Sequence, residues 1–191
     1  GLKCMEMISS EEVFDAVKAR TYTKKAVFFD RDGTLCKDPG YLSRMEDFEA
    51  FPEVSSLTGL KERGFSLIGV SNQSGIARGL VDEEFVKRVN TIFLDTYGFE
   101  RFYYCPHHPD EHCPCRKPEP GLLLDARADY RIDLKKSFVV GDKDADMLLA
   151  RSTGATGILV KTGQDKVSAR ADFVVENLVE AVDLIMRKDR T

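Results

Sequence analysis

Short apolar runs alternate with stretches of helical period along almost the whole chain, and this alternation limits the fold more than any other feature. KKAVFF, FSLIGVSN, RFYYC, SFVVGD and TGILV each have the length and the β-branched or aromatic content of a buried strand. Pro52 suits a first helical turn, Val54, Leu57 and Leu60 share one face, and Gly64 ends that helix. Asp82 is placed as an N-cap for a longer helix with Phe85, Val86, Val89, Ile92 and Phe93 on its apolar side, closed at Gly98. GLLLDARADYR and DADMLLARSTG read as two further helices, and NLVEAVDLIMRK as a last one after a short sixth strand in ADFVV. Strand followed by helix, repeated in this way, predicts an α/β domain with a doubly wound, mainly parallel sheet covered on both faces.

Ligands of open parallel sheets bind at the carboxyl ends of the strands. Asp30, the Ser71-Asn72 pair and Asp142 each fall just after a different expected strand, so residues far apart in sequence converge on one edge. The sharpest of these tips is FFDRDGTL, residues 28–35. Alternation along a strand points residues i and i+2 the same way, which presents Asp30 and Asp32 together, and Gly33 lets the chain turn off. A solvated turn is the plain reading of such a pair. A calcium loop from Asp30 fails, because its fifth, sixth and twelfth positions hold Thr34, Leu35 and Tyr41. A calcium loop from Asp142 fails likewise, with Met147 and Thr153 at its sixth and twelfth positions.

Three of the five cysteines and all three histidines crowd between residues 105 and 115. Cys105-Pro-His107 and Cys113-Pro-Cys115 supply three thiols and an imidazole, a set suited to tetrahedral Zn²⁺ with no open position, hence to a structural ion. His108 and His112 are spare candidates. The loop ends on Arg116-Lys117; a lone lysine is ordinarily a surface charge, whereas the planar fork of an arginine can hold two oxygens of a phosphate.

The chain has 191 residues, enough for one domain with a real core, and is 42% hydrophobic and 31% charged. A net charge of −4 without a basic run disfavours a nucleic-acid surface, which sets the zinc-knuckle reading of the Cys/His loop aside as a distant alternative. No apolar stretch approaches a membrane span, and residues 1–12 lack the apolar core of a signal peptide, so a cytoplasmic protein is expected. Residues 8–19 suggest a short helix with a capping box from Ser9 to Glu12. The expected division is an N-terminal helical arm over residues 1–23 and one domain over 24–191. With no evident interface helix, a monomer is expected.

DRDGTL resembles the nucleophile motif of the haloacid dehalogenase (HAD) superfamily of aspartate-dependent phosphatases, and SNQSGIARG, CRKPEPG and VVGDKDADM follow it in that family's order. Over residues 25–162 the four strings together are similar to the zinc-bearing heptose 1,7-bisphosphate 7-phosphatases; the histidinol-phosphate phosphatases share the motifs and are the alternative. The stretch between His107 and Cys113 is shorter than in the heptose enzymes. The resemblance implies a Rossmann-like HAD fold with no large cap domain and a loop stabilised by Zn²⁺ on Cys105, His107, Cys113 and Cys115. It implies Asp30 as nucleophile and Asp32 as general acid and base. It implies Mg²⁺ held by the side chains of Asp30 and Asp142 and the carbonyl of Asp32, with Asp146 as an outer acid. The phosphate falls to Ser71, Asn72 and Lys117, and a small phosphorylated sugar is the expected partner. Arg116 and Lys143 are expected to reach the far end of that substrate.

Overall fold

β1 (Lys25–Phe29) lies in the middle of the sheet because it is apolar on both faces. Val27 and Phe29 enter one hydrophobic core, Ala26 and Phe28 the other, as period-two alternation requires. The computed structural model describes residues 22–190. The helix expected over residues 8–19 lies outside them, as does nearly all of the arm expected over 1–23.

On one side β1 pairs with β2 (Phe65–Asn72), which carries β3 (Arg101–Cys105). On the other side it pairs with β4 (Phe138–Gly141), followed outward by β5 (Thr156–Val160) and β6 (Phe173–Val175). The order β3-β2-β1-β4-β5-β6 is parallel throughout, so the doubly wound parallel sheet expected from the alternation is present. One face is covered by α1 (Thr58–Glu62), α2 (Glu83–Tyr97) and α5 (Leu178–Lys188), the other by α3 (Gly121–Tyr130) and α4 (Asp144–Thr153). Asp82 caps α2 by accepting from Glu84 N, and Gly98 and Gly154 close α2 and α4 in the left-handed region.

The helix expected to run from Pro52 to Gly64 begins instead as a 3₁₀ segment, Pro52–Leu57, before α1. The hydroxyls of Ser55, Ser56 and Thr58 donate back to the carbonyls of Pro52, Glu53 and Ser55, three residues earlier, and tighten the turn there. Residues 33–51 hold only one short 3₁₀ turn, Met45–Asp47, so the carboxyl edge of β1 is not overlaid by a large cap domain.

Phe93 on α2 anchors the larger core, with rings of Phe48, Tyr97, Phe99 and Phe102 at centroid distances of 5.5–6.0 Å. Truncating a fully buried ring leaves a cavity as well as lost transfer energy. Phe93→Ala is therefore expected to cost about 3–5 kcal/mol of unfolding free energy, measured by urea denaturation.

Candidate active site

Three strand tips build the site. Asp30 follows β1 and is held by its N–H to Val140 O at 2.9 Å. Ser71 and Asn72 close β2, and Asp142 follows β4. Lys117 comes from the loop after β3 and threads between these tips. Its ammonium lies 2.8 Å from Asp30 Oδ1, 2.6 Å from Asp146 Oδ1 and 2.9 Å from Val70 O, with 5% of the residue exposed. The plain reading of this lysine as a surface charge is therefore replaced by a buried ammonium between two carboxylates.

The charges follow from that arrangement. Burial alone would raise the Asp30 carboxyl, but the adjacent ammonium of Lys117, helped by Lys143, holds it below the usual carboxylate range. Burial would lower Lys117, yet Asp146 and Asp30 raise it, so the ammonium stays charged. Burial, followed by the charge of Asp30, pushes Asp142 up to about 7.

Asp142 sits in a glycine cradle. A Cβ on Gly33, whose φ is +90°, would lie 2.4 Å from Asp142 Oδ2, and one on Gly163 would lie 2.0 Å from it. Oδ2 accepts from Gln164 N at 2.9 Å, while Oδ1 is buried with no hydrogen-bond partner. Asp30, Asp142 and Asp146 each bring a carboxylate oxygen within 4.8 Å of the others. Clustered hard oxygens with one orphaned buried acceptor fit a divalent cation such as Mg²⁺. Asp146 lies beside Asp30 and Asp142, with its Oδ1 on the Lys117 ammonium and its Oδ2 accepting from Lys143 N.

The Cys/His loop closes on itself as expected. Cys105, His107, Cys113 and Cys115 form one cluster with Sγ and Nδ1 atoms 3.2–3.5 Å apart, and no disulfide joins the cysteines. Zinc–sulfur bonds of about 2.3 Å place tetrahedral ligands about 3.8 Å apart, so this donor set fits such an ion with little movement. Burial raises the Cys105 and Cys115 thiols, whereas hydrogen bonds from those two thiols and from backbone N–H groups draw Cys113 down to about 7 against its own burial. His108 caps the turn Pro109–Glu111 instead, and His112 closes that turn in the left-handed region.

Asn72 links this loop to the strand tips. Its side chain donates to Lys117 O at 3.1 Å and accepts from Lys117 N at 3.0 Å, a two-way clamp. One of the two amide protons of Asn72 and its Oδ1 are thereby committed to the Lys117 backbone. Asp32 opens onto a cavity of about 310 Å³ that Asn72, Arg116, Lys143 and Asp38 also line. Arg116 Nη1 is buried without a hydrogen-bond partner among the described residues, and Lys143 is 3.3 Å from Asp38 and 4.0 Å from Asp142.

Several site residues escaped the sequence reading. Asp38, which offsets Lys143, sat in what read as a polar loop. Asn90, a polar break in the apolar stripe of α2, accepts from the fully buried Arg31. Gln73 stands directly after Ser71-Asn72 and bonds both Ser71 and Asp32. A polar residue on an otherwise apolar face was the available signal for Asn90, and adjacency to a strand tip for Gln73.

A parallel sheet whose tips bring a buried lysine between carboxylates defines a phosphatase of the HAD type, and a family model described as HAD-hydrolase-like matches residues 114–181. Curated relatives include the D-glycero-beta-D-manno-heptose-1,7-bisphosphate 7-phosphatases of Photorhabdus laumondii, 40% identical over 81% of this chain and 92% of that protein, and of Escherichia coli K12, 38% identical over 86% and 95%. The chain belongs to the family of these heptose-bisphosphate phosphatases, as its four motif strings led us to expect. Among solved structures, the D,D-heptose 1,7-bisphosphate phosphatase of B. bronchiseptica, complexed with magnesium and phosphate, has a TM-score of 0.77 and 27% identity. That match covers 86% of this chain and 99% of the other. A putative HAD-like phosphatase from Mesorhizobium loti has a TM-score of 0.73 and 29% identity, over 87% and 89%.

A divalent cation held by Asp142 would compete with its proton. Because its carboxyl is raised to about 7, it is protonated below that pH and ionised above it. The apparent affinity for Mg²⁺ should therefore fall by about tenfold for each pH unit below 7 and level off above it. Without the cation, stability should decline as pH rises from the ordinary carboxylate value of 3.8 toward 7, and added Mg²⁺ should reverse that decline. Calorimetric titration of Mg²⁺ across this range, with melting curves in parallel, checks both; an affinity that does not change with pH contradicts the assignment.

Proposed function

We propose that this phosphatase removes the 7-phosphate of D-glycero-D-manno-heptose 1,7-bisphosphate through an aspartyl-phosphate. The observation that carries the substrate is Arg116. Arg116 lines a cavity shared with Lys143, directly before Lys117, and its Nη1 is buried with no hydrogen-bond partner among the described residues. One transferring phosphate does not require that second cationic group; a second phosphate at the far end of the substrate does. The activity named for the curated relatives supports the same reading.

Asp30, ionised and held by Lys117, attacks phosphorus, forming an oxygen–phosphorus bond as the bond to the sugar oxygen breaks. Asp32 gives its proton to the leaving oxygen and later takes one from the water that cleaves the acyl phosphate, regenerating Asp30. The Ser71 hydroxyl, the Asn72 backbone N–H and Lys117 neutralise the equatorial oxygens, the main electrostatic contribution to phosphoryl transfer. Asp30 and Asp142, with the Asp32 carbonyl, would hold Mg²⁺, which when bound offsets charge on the transferring phosphoryl group. Cys105, His107, Cys113 and Cys115 would hold a structural Zn²⁺ that keeps Arg116 and Lys117 in place.

Asp38 tempers the substrate preference, since it offsets part of the charge of Lys143. Arg116 has no hydrogen-bonded acid among the described residues and should still disfavour histidinol phosphate, whose far end is cationic. We expect kcat/KM for the heptose bisphosphate to exceed that for histidinol phosphate by about tenfold or more, roughly the effect of 1.4 kcal/mol. Arg116→Ala should narrow the gap by weakening the bisphosphate. A higher kcat/KM for histidinol phosphate in the same phosphate-release assay replaces the heptose assignment with the alternative.

Asp30→Asn should abolish turnover with the fold unchanged by circular dichroism, because the amide cannot be phosphorylated. Protein purified without chelator should carry about one zinc per chain by elemental analysis and still need added Mg²⁺ for activity. Absence of zinc, or a disulfide among the three loop cysteines, would refute the loop assignment.

A further inference from the structure

We propose that Gln73 is a positioning residue that ties the phosphate-binding hydroxyl of Ser71 to the proton-transferring carboxyl of Asp32, an inference resting on the mechanism above. Gln73 lies one residue past β2 and is 7% exposed. Its Nε2 is 2.6 Å from Asp32 Oδ2 and 2.7 Å from Ser71 Oγ. Gln73 Nε2 donates to both Asp32 Oδ2 and Ser71 Oγ, so its two protons serve Asp32 and Ser71. Ser71 Oγ therefore accepts from Gln73 and keeps its own proton to donate. The bond it accepts also limits the directions in which that proton can point, and a phosphoryl oxygen at the tip of β2 is the acceptor the mechanism places there.

Asp32 is held from its other side by Arg31. Nε reaches Oδ1 and Nη2 reaches Oδ2, both at 3.0 Å, while Nη1 donates to Asn90 Oδ1 at 3.1 Å. Arg31 has no exposed surface, so the planar guanidinium fixes the plane of the carboxyl. Gln73 approaches from the Ser71 side, where phosphorus would sit. The chain Asn90–Arg31–Asp32–Gln73–Ser71 thus connects α2 to the tip of β2. Within it Gln73 is the single link between the group that gives the proton and a group that holds the phosphate.

Leaving-group chemistry separates this role from a merely structural one. A sugar oxygen departing from phosphorus needs a proton as the bond breaks, whereas nitrophenolate, a stable anion near neutral pH, does not. A residue that aims the proton of Asp32 matters for the first ester far more than for the second. A residue that only supports the fold, or only aligns Ser71, affects both alike.

The test compares kcat/KM for heptose 1,7-bisphosphate and for p-nitrophenyl phosphate in the wild type, Gln73→Met and Asp32→Asn, with melting temperatures for each. General acid catalysis is worth roughly 10²–10⁴-fold, and Gln73→Met should lose about tenfold or more on the sugar ester beyond any loss on the aryl ester. Gln73→Glu, nearly isosteric and repelling Asp32, should show the same selectivity if the methionine variant folds poorly. Equal losses on the two esters in both Gln73 variants, or no loss on either, overturn the proposal. Asp32→Asn identifies which reading has failed. If it too loses both esters equally, the acid role of Asp32 falls and this inference with it. If it is selective while the Gln73 variants are not, the mechanism stands and the positioning role alone is lost.

Discussion

The ammonium of Lys117, buried between Asp30 and Asp146, is the interaction on which the rest of the site depends. A charge in that position is tolerable only because carboxylates and the Val70 carbonyl surround it, and the carboxylates are tolerable only because the ammonium is there. The same mutual dependence prepares the chemistry. Asp30 is held below the usual carboxylate range, as the proposed nucleophile must be, and the ammonium that does this stands beside it at the strand tips. Stability and reactivity here rest on one contact, which is why the loop that delivers Lys117 is so heavily restrained.

That restraint has two anchors. At one end the Cys/His cluster gathers the loop after β3 around four ligand atoms; at the other Asn72 grips both the N–H and the carbonyl of Lys117. An irregular loop is thereby given the rigidity expected of a strand or helix. Arg116, one residue before Lys117, shares that restraint, so in the proposed function the cation assigned to substrate choice is positioned by the device that positions the one assigned to phosphoryl transfer.

Most of the fold was legible in the sequence because buried parallel strands are continuous apolar runs, and β2 and β3 coincide with FSLIGVSN and RFYYC. The strand tips were legible for the same reason, since a carboxylate straight after an apolar run has few places to go. What was not legible depends on contacts between distant segments. Nothing local to Asp38 tells that Lys143 will face it, and nothing local to Arg31 tells that Asn90 will receive its third hydrogen bond. The 3₁₀ start of the helix at Pro52 was missed for a different reason: the expectation weighed apolar periodicity and left out the three hydroxyls that compete for the same carbonyls.

The central place of β1 has a consequence for how the molecule comes to exist at all. Its two partners are β2, reached after a loop and a helix, and β4, from the far half of the chain, and every pairing is parallel, so no hairpin can form early. Asp30 and Asp142 become neighbours only when the β1–β4 pairing has closed, which makes site assembly a late event governed by loop-closure entropy. Until then a nascent chain carries Asp30, the proposed nucleophile, without the Asp142 neighbour that completes the carboxylate cluster.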